Sequence, residues 1–321
     1  MKDIYEKMNR AGGEGKPFLF GIDFEQKESF FIEDPLESKE LLFNVNGTTN
    51  AASEEPECLE EPRLTVLSSD RKHYEEGFGI VRSGILRGDS FLLNLTARTE
   101  VRTNLSLRDI FCRSTAPYRL YWPGRFVCFS PESFVRIEGR RISTYPMKGT
   151  IDAALPDARQ RLMDDYKESC EHYTIVDLMR NDLNRVAEQV RVDRFRYVDR
   201  IKTLQGEILQ TSSEVSGLLP EDWTGHVGDL FRSLLPAGSI SGAPKAATCR
   251  LIKEAEGMDR GFYTGVFGYF DGKNLDSAVL IRFIEEDGSR TYFRSGGGVT
   301  VNSRCEEEYR EILEKVYLSF K

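Results

Sequence analysis

Strand-like runs in this chain come in groups, with helical stretches between the groups and no strict strand–helix–strand alternation. That pattern points to an α+β protein with largely antiparallel sheets. Residues 18–24 and 29–32 read as a hairpin. Residues 90–96, 119–121, 126–130, 134–137 and 141–144 form a second group, and 190–193, 195–198 and 207–215 a third. Residues 261–270, 277–284 and 291–294 close the series. Residues 70–86 carry Tyr74, Phe78, Val81 and Ile85 at helical spacing, with Ser68, Ser69 or Asp70 as a cap and Gly88-Asp89 as a stop. Further helices are expected over 157–165, 166–183, 225–235, 245–256 and 306–318.

Composition removes several function classes. The 321 residues carry a net charge of −8, which argues against a nucleic-acid partner because phosphate contacts need a basic face. Six cysteines (58, 112, 128, 170, 249, 305) lie scattered with no Cys-x-x-Cys pair, which fits neither a zinc site nor a disulfide scaffold and suits a reducing cytoplasm. The first residues lack an apolar leader, and no apolar run approaches the roughly 18 residues of a membrane span, so a cytosolic protein is expected. Residues 51–62 are acidic, hold two prolines and read as an exposed loop. They set off an N-terminal strand region, 1–66, packed on the same body as the larger unit, 67–321.

Several stretches could carry chemistry. In Tyr145-Pro146-Met147-Lys148-Gly149-Thr150, Pro146 and Gly149 punctuate the backbone, so Lys148 is expected on a turn, followed from residue 151 by a helical region. Glu168 and Glu171 stand three apart on one predicted helix, and Glu308 and Glu311 on another. Each pair shares a helix face; if the two faces met across a cleft they would suit a hard divalent cation. Gly238 to Lys245 departs from the Walker pattern but presents amides and the Ser239 hydroxyl at a helix start. Gly296-Gly297-Gly298 reads as a tight turn or as backbone that approaches a carboxylate closely. Glu132 lies between two strands and, beside a lysine in a closed site, could act as a general acid.

Taken together, Ile175 to Leu183, Gly238 to Lys245, Tyr263 to Tyr269, Ile281-Arg282 and Gly296 to Val299 resemble, in order and spacing, the chorismate-utilising enzymes. This family includes anthranilate, aminodeoxychorismate, isochorismate and salicylate synthases. The resemblance implies an α/β sandwich of two antiparallel sheets flanked by helices. It also implies Mg2+ on Glu171 and Glu311, with Glu168 and Glu308 behind them. Chorismate would be held by Tyr263, Arg282, Ser239, Thr150, Gly296, Gly297, Gly298 and Gln210, and Glu132 would protonate the departing C4 hydroxyl.

Three positions speak to the product. Lysine at 148 resembles the aminodeoxychorismate synthases, where the lysine adds at C2 of chorismate; anthranilate synthases carry alanine. Leu92 falls where isochorismate and salicylate synthases carry a water-activating lysine, and Asn94-Leu95-Thr96 resembles the aminodeoxychorismate type. Covalent capture would need the pKa of Lys148 lowered by desolvation and magnesium. Two departures from the pattern are Gln210, often histidine, and Leu92, often glutamine in aminating members. The resemblance thus implies component I of an aminodeoxychorismate synthase, supplied with nitrogen by a separate glutamine amidotransferase subunit, since no Gly-x-Cys-x-Gly segment is present. The short N-terminal region implies no tryptophan-type feedback site. The alternatives are anthranilate synthase component I, another chorismate enzyme, or a catalytically silent relative that only binds.

Overall fold

The computed structural model describes residues 2–52, 54–58, 60–203, 206–318 and 320, so positions 53 and 59 of the acidic segment lie outside the described residues. Two nine-stranded sheets, antiparallel at every described pairing, form a sandwich with helices around it. One sheet runs, in spatial order, Met147–Asp152, Gly206–Leu218, Arg141–Thr144, Ser133–Glu138, Leu275–Val279, Val266–Phe270, Phe18–Ile22 and Ser29–Glu33, with Glu188–Thr203 also on Gly206–Leu218. The other runs Gly242–Ala243, Leu92–Thr103, Arg290–Val299, Phe283–Asp287, Phe126–Ser130, Tyr118–Trp122, Leu42–Val45 and Thr48–Thr49, with Leu64–Ser69 on Leu92–Thr103.

Strands buried on both faces supply the core: Phe18–Ile22, Phe126–Ser130 and Val266–Phe270 are buried at every position. Phe18, Phe20, Phe270, Phe231 and Trp223 pack as one aromatic cluster between a sheet and the flanking helices. The helix Arg71–Arg87 buries Tyr74, Phe78, Val81 and Ile85 as its spacing predicts; Asp70 caps it through the His73 amide, and Gly88 ends it at φ 85°. Tyr166–Leu183 and Lys245–Glu256 also form as expected.

The differences are local and have physical causes. Residues 277–284 do not form one strand. The chain leaves the first sheet after Val279 and enters the second at Phe283, turning at Arg282 with φ 53°. Residues 190–193 and 195–198 belong to one strand, Glu188–Thr203, broken by register shifts at Gln189 and Arg196, both with positive φ. Gly296–Gly298 form no turn, but lie inside the strand Arg290–Val299 opposite Thr96, Leu95 and Asn94. Lys148 sits on an edge strand rather than a turn, and helix begins only at Ala158. The helices Lys2–Gly13 and Leu107–Arg113 and the strand Leu64–Ser69 were not expected. No helix among the described residues is long and apolar enough to cross a membrane.

Candidate active site

The chain changes sheet twice close to the candidate residues. It passes from Phe126–Ser130 to Ser133–Glu138 through Pro131-Glu132, and from Leu275–Val279 to Phe283–Asp287 through Leu280 to Arg282. Between the sheets at these crossings lies a cleft of about 270 Å3. Its walls include Leu92 and Asn94 from one strand, Gly296 to Gly298 from the next, Lys148 and Gln210 from the other sheet, and Glu171 and Glu311 from two helices.

Lys148 reaches this cleft through a bulge. The strand Met147–Asp152 pairs with Gly206–Leu218, and its register shifts between Lys148 and Thr150, where Gly149 has φ 77°. A bulge re-aims the side chains beside it. The Thr211 hydroxyl donates to the Lys148 carbonyl and pins the backbone there. Lys148 Nζ lies 2.6 Å from Glu171 Oε2. Burial pulls the pKa of Lys148 down, but Glu171, then Glu168 and Glu311, outweigh it, and the net shift is upward. The protein's own charges thus favour the ammonium form of Lys148, which is the counter-ion of the carboxylate that the resemblance assigns to the cation.

Glu132 is the other titrating centre. Burial pushes its pKa up, opposed by a 2.7 Å hydrogen bond from the Ser239 hydroxyl and by Arg282 and Lys315. An upward-shifted carboxyl in a cleft suits the role of a general acid. Ser239 stands on the short helix Gly238–Ser241, held from below by Asp182, which Lys245 Nζ grips at 2.9 and 3.0 Å. A Cβ at Gly238 would come within 2.7 Å of Asp182 Oδ2 and the same distance of Met179 Cε, so a larger residue there would have to displace one of these side chains.

Tyr263 and Arg282 both line the cleft, as do Gln210 and Ser239. Burial raises the Tyr263 phenol to about 12. Thr264, next to it, has φ 60° and Arg282 has φ 53°; a β-branched residue at positive φ is a strained backbone that its surroundings must hold in place. Thr150 is exposed and stands outside the cleft, one bulge beyond Lys148.

The two carboxylate pairs divide by depth. Glu171 and Glu311 line the cleft, whereas Glu168 and Glu308 do not. Glu168 Oε2 is buried with no hydrogen-bond partner, and burial raises the pKa of Glu168 and of Glu308. Glu308 and Glu311 approach Gly297: a Cβ there would lie 3.5 Å from Glu308 Oε2 and 4.0 Å from Glu311 Oε1. Among the described residues no three His, Cys, Asp or Glu side chains are gathered closely enough to hold a metal by themselves. Two carboxylates in an open cleft do suit Mg2+, which commonly takes one or two and fills its shell with water and substrate oxygen.

Lys315 is a cleft residue that sequence reasoning missed. Its Nζ lies 2.7 Å from Glu311 Oε1 and donates to the Gly296 carbonyl at 2.8 Å. The signal was present, since 311 and 315 share a helix face. Asn94 Oδ1 is likewise buried without a partner at the cleft wall.

A family model described as chorismate binding enzyme matches residues 19–320. A Haemophilus influenzae protein described as an uncharacterised PabA-like protein is 50% identical over 326 residues, covering 99% of this chain and 97% of its own length. Aminodeoxychorismate synthase component 1 of Salmonella typhimurium is 32% identical, covering 77% of this chain and 56% of its own. Anthranilate synthase component 1 of Thermococcus kodakarensis is also 32% identical, with 87% and 66% covered. The crystal structure of anthranilate synthase component I from Streptococcus pneumoniae superposes with a TM-score of 0.68 at 27% identity, over 82% of this chain and 60% of that one.

Proposed function

Because this chain belongs to the chorismate binding enzymes, we propose that it is the synthase component that converts chorismate and ammonia to 4-amino-4-deoxychorismate. One observation carries the reading: the cleft presents the Lys148 amine, while the wall at Leu92 is apolar. A lysine can add to the substrate ring; a leucine cannot activate water.

In the proposed reaction the neutral amine of Lys148 bonds to C2, both conjugated ring double bonds shift by one position, and the C4–oxygen bond breaks. Glu132 gives its proton to the departing hydroxyl, which leaves as water. Ammonia then adds at C4, the lysine nitrogen leaves C2, and chorismate plus ammonia has become aminodeoxychorismate plus water. Arg282 and Tyr263 hold the enolpyruvyl carboxylate, and Ser239 orients Glu132. Gly297 and Gly298 give backbone access, and Gln210 offers a hydrogen bond that does not titrate. Ammonia comes from a separate glutamine amidotransferase subunit or from solution, and the product feeds p-aminobenzoate and folate synthesis.

Charge balance supports a divalent cation in this reading. With Glu132 protonated and Lys148 neutral, as the proposed reaction requires, Glu171 and Glu311 stand against Arg282 and Lys315 in the cleft, two against two. A dicarboxylate substrate needs further positive charge, and Mg2+ on Glu171 and Glu311, with Glu168 and Glu308 behind, is the proposed source. Bound there, the ion would neutralise the ring carboxylate and take over Glu171. Lys148 would then lose the partner that holds its proton.

The test is to incubate the protein with chorismate, Mg2+ and ammonium, with and without a pyruvate-eliminating lyase. The reading expects p-aminobenzoate only when the lyase is present. Anthranilate without lyase would replace it with the second reading, anthranilate synthase, which the equal 32% identities keep in view. No turnover by the wild type, with ammonia or with an amidotransferase, would leave a silent relative.

A further inference from the structure

Arg260 is 2% exposed, the bulkiest of the fully buried side chains, and has no part in the reaction proposed above. An arginine in the interior is costly unless every donor is satisfied. Here the five N–H groups of the guanidinium match five contacts. Nε donates to Glu256 Oε2 at 2.9 Å and Nη2 to Glu256 Oε1 at 2.6 Å, a two-pronged grip on one carboxylate. The other three contacts reach elsewhere: Nη2 to the Asn94 carbonyl at 2.6 Å, Nη1 to the Ile240 carbonyl at 3.1 Å, and Nη1 to Thr264 Oγ1 at 3.4 Å.

Those three targets have one thing in common. Asn94, Ile240 and Thr264 all line the catalytic cleft, and they come from three separate segments: a strand, the short helix of Ser239, and the strained turn beside Tyr263. Glu256 extends the junction, because its Oε1 also accepts from the Thr96 amide on the Asn94 strand. On the far side, the Arg260 and Gly261 amides donate to the Glu25 carboxylate, at 2.8 and 2.9 Å, which fixes the loop from which the guanidinium projects. Thr264 in turn donates to the Tyr263 carbonyl at 2.6 Å.

We infer that Arg260, with Glu256, is a positioning residue: it locks three walls of the chorismate cleft in register and holds Tyr263 and the Ser239 helix where the substrate meets them. Burial of an ion pair does little for net stability and can be replaced by apolar packing without loss. A forked, planar donor that joins two backbone carbonyls and a threonine hydroxyl on three segments is what lysine, with one ammonium point, cannot imitate. The inference rests on chorismate being the substrate but not on which product forms.

The experiment compares wild type, Arg260→Lys and Glu256→Gln. KM and kcat are measured for chorismate and for ammonium, per molecule shown to be folded by near-ultraviolet circular dichroism and cooperative melting. For Arg260→Lys, kcat/KM for chorismate is expected to fall about 100-fold, the scale on which a misplacement of ~1 Å acts, with KM for ammonium unchanged. Glu256→Gln, which keeps the side chain's size, is expected to move the same parameter less, and it decides the matter if the lysine variant does not fold. A folded variant with wild-type kinetics for chorismate, or one that loses both substrates equally, overturns the role. A wild type that makes anthranilate would sink the product reading alone and leave this comparison intact; a wild type with no chorismate turnover would sink both.

Discussion

At the scale of single residues, the proposed reaction depends on two groups whose protonation must be opposite to the ordinary state. Burial raises the pKa of Glu132, which favours its acid form, and Lys148 must lose a proton that Glu171 stabilises. Glu132→Gln is expected to lower kcat by about 10²–10⁴-fold. It should also abolish the decline of kcat/KM on the alkaline side, because that decline is Glu132 losing its proton as pH rises through a pKa raised above the usual carboxylate range. His172 gives a separate pH signature. Fully buried, it hydrogen-bonds Ser213 at 2.6 Å, and desolvation lowers its pKa from 6.5 to about 4. The unfolded chain then takes up a proton below about 6.5 that the folded chain refuses until about 4. This contribution to stability is complete above pH 6.5 and shrinks as pH falls to 4. His172→Gln should flatten that part of the stability–pH curve in denaturant titrations; an unchanged slope would remove His172 as its source.

At the scale of elements, glycines decide how closely backbone can approach the reacting groups. A Cβ at Gly298 would meet Leu92 Cδ1 at 3.3 Å and Lys148 Nζ at 3.8 Å, both mobile side-chain ends. Gly298→Ala should therefore fold normally and raise KM for chorismate, read by melting and by kinetics. Gly242 has φ 118°, and a Cβ there would lie 1.9 Å from the Leu92 carbonyl, which is backbone that cannot yield. Gly242→Ala is expected to cost more than about 4 kcal/mol, in the range reserved for severe backbone or core damage. These positions also show where sequence reading stops. The helix Arg71–Arg87 was legible from its spacing and its Asp70 cap, and so were the grouped antiparallel strands. The glycine triplet was not, because glycine weakens a strand locally and only the carboxylate helix packed over Gly297 explains it. Arg282 was picked out, but the sheet change that places it was hidden in a run that reads as one strand. Arg260 passed as an ordinary charged residue; nothing in its neighbours announces a guanidinium buried under three cleft walls.

For the molecule as a whole, the two sheets supply the walls of the cleft and two helices bring the acids to it. In the proposed function, the balanced charges of the cleft are shifted by a cation when a dicarboxylate enters. Turnover of chorismate should accordingly vanish with a chelator and return with Mg2+, and Glu311→Gln should raise the Mg2+ concentration needed for half-maximal rate. Rates indifferent to chelation would remove the ion from the account. The central claim is the covalent role of Lys148, and it has a direct test. Wild-type protein is mixed with chorismate and Mg2+ without ammonia, quenched in acid, digested with trypsin and analysed by mass spectrometry. The account predicts the peptide 142–159 left uncut at Lys148 and heavier by chorismate less one water, with no such species from Lys148→Ala. A wild type that aminates chorismate with no adduct, alongside an equally active Lys148→Ala variant, would contradict it.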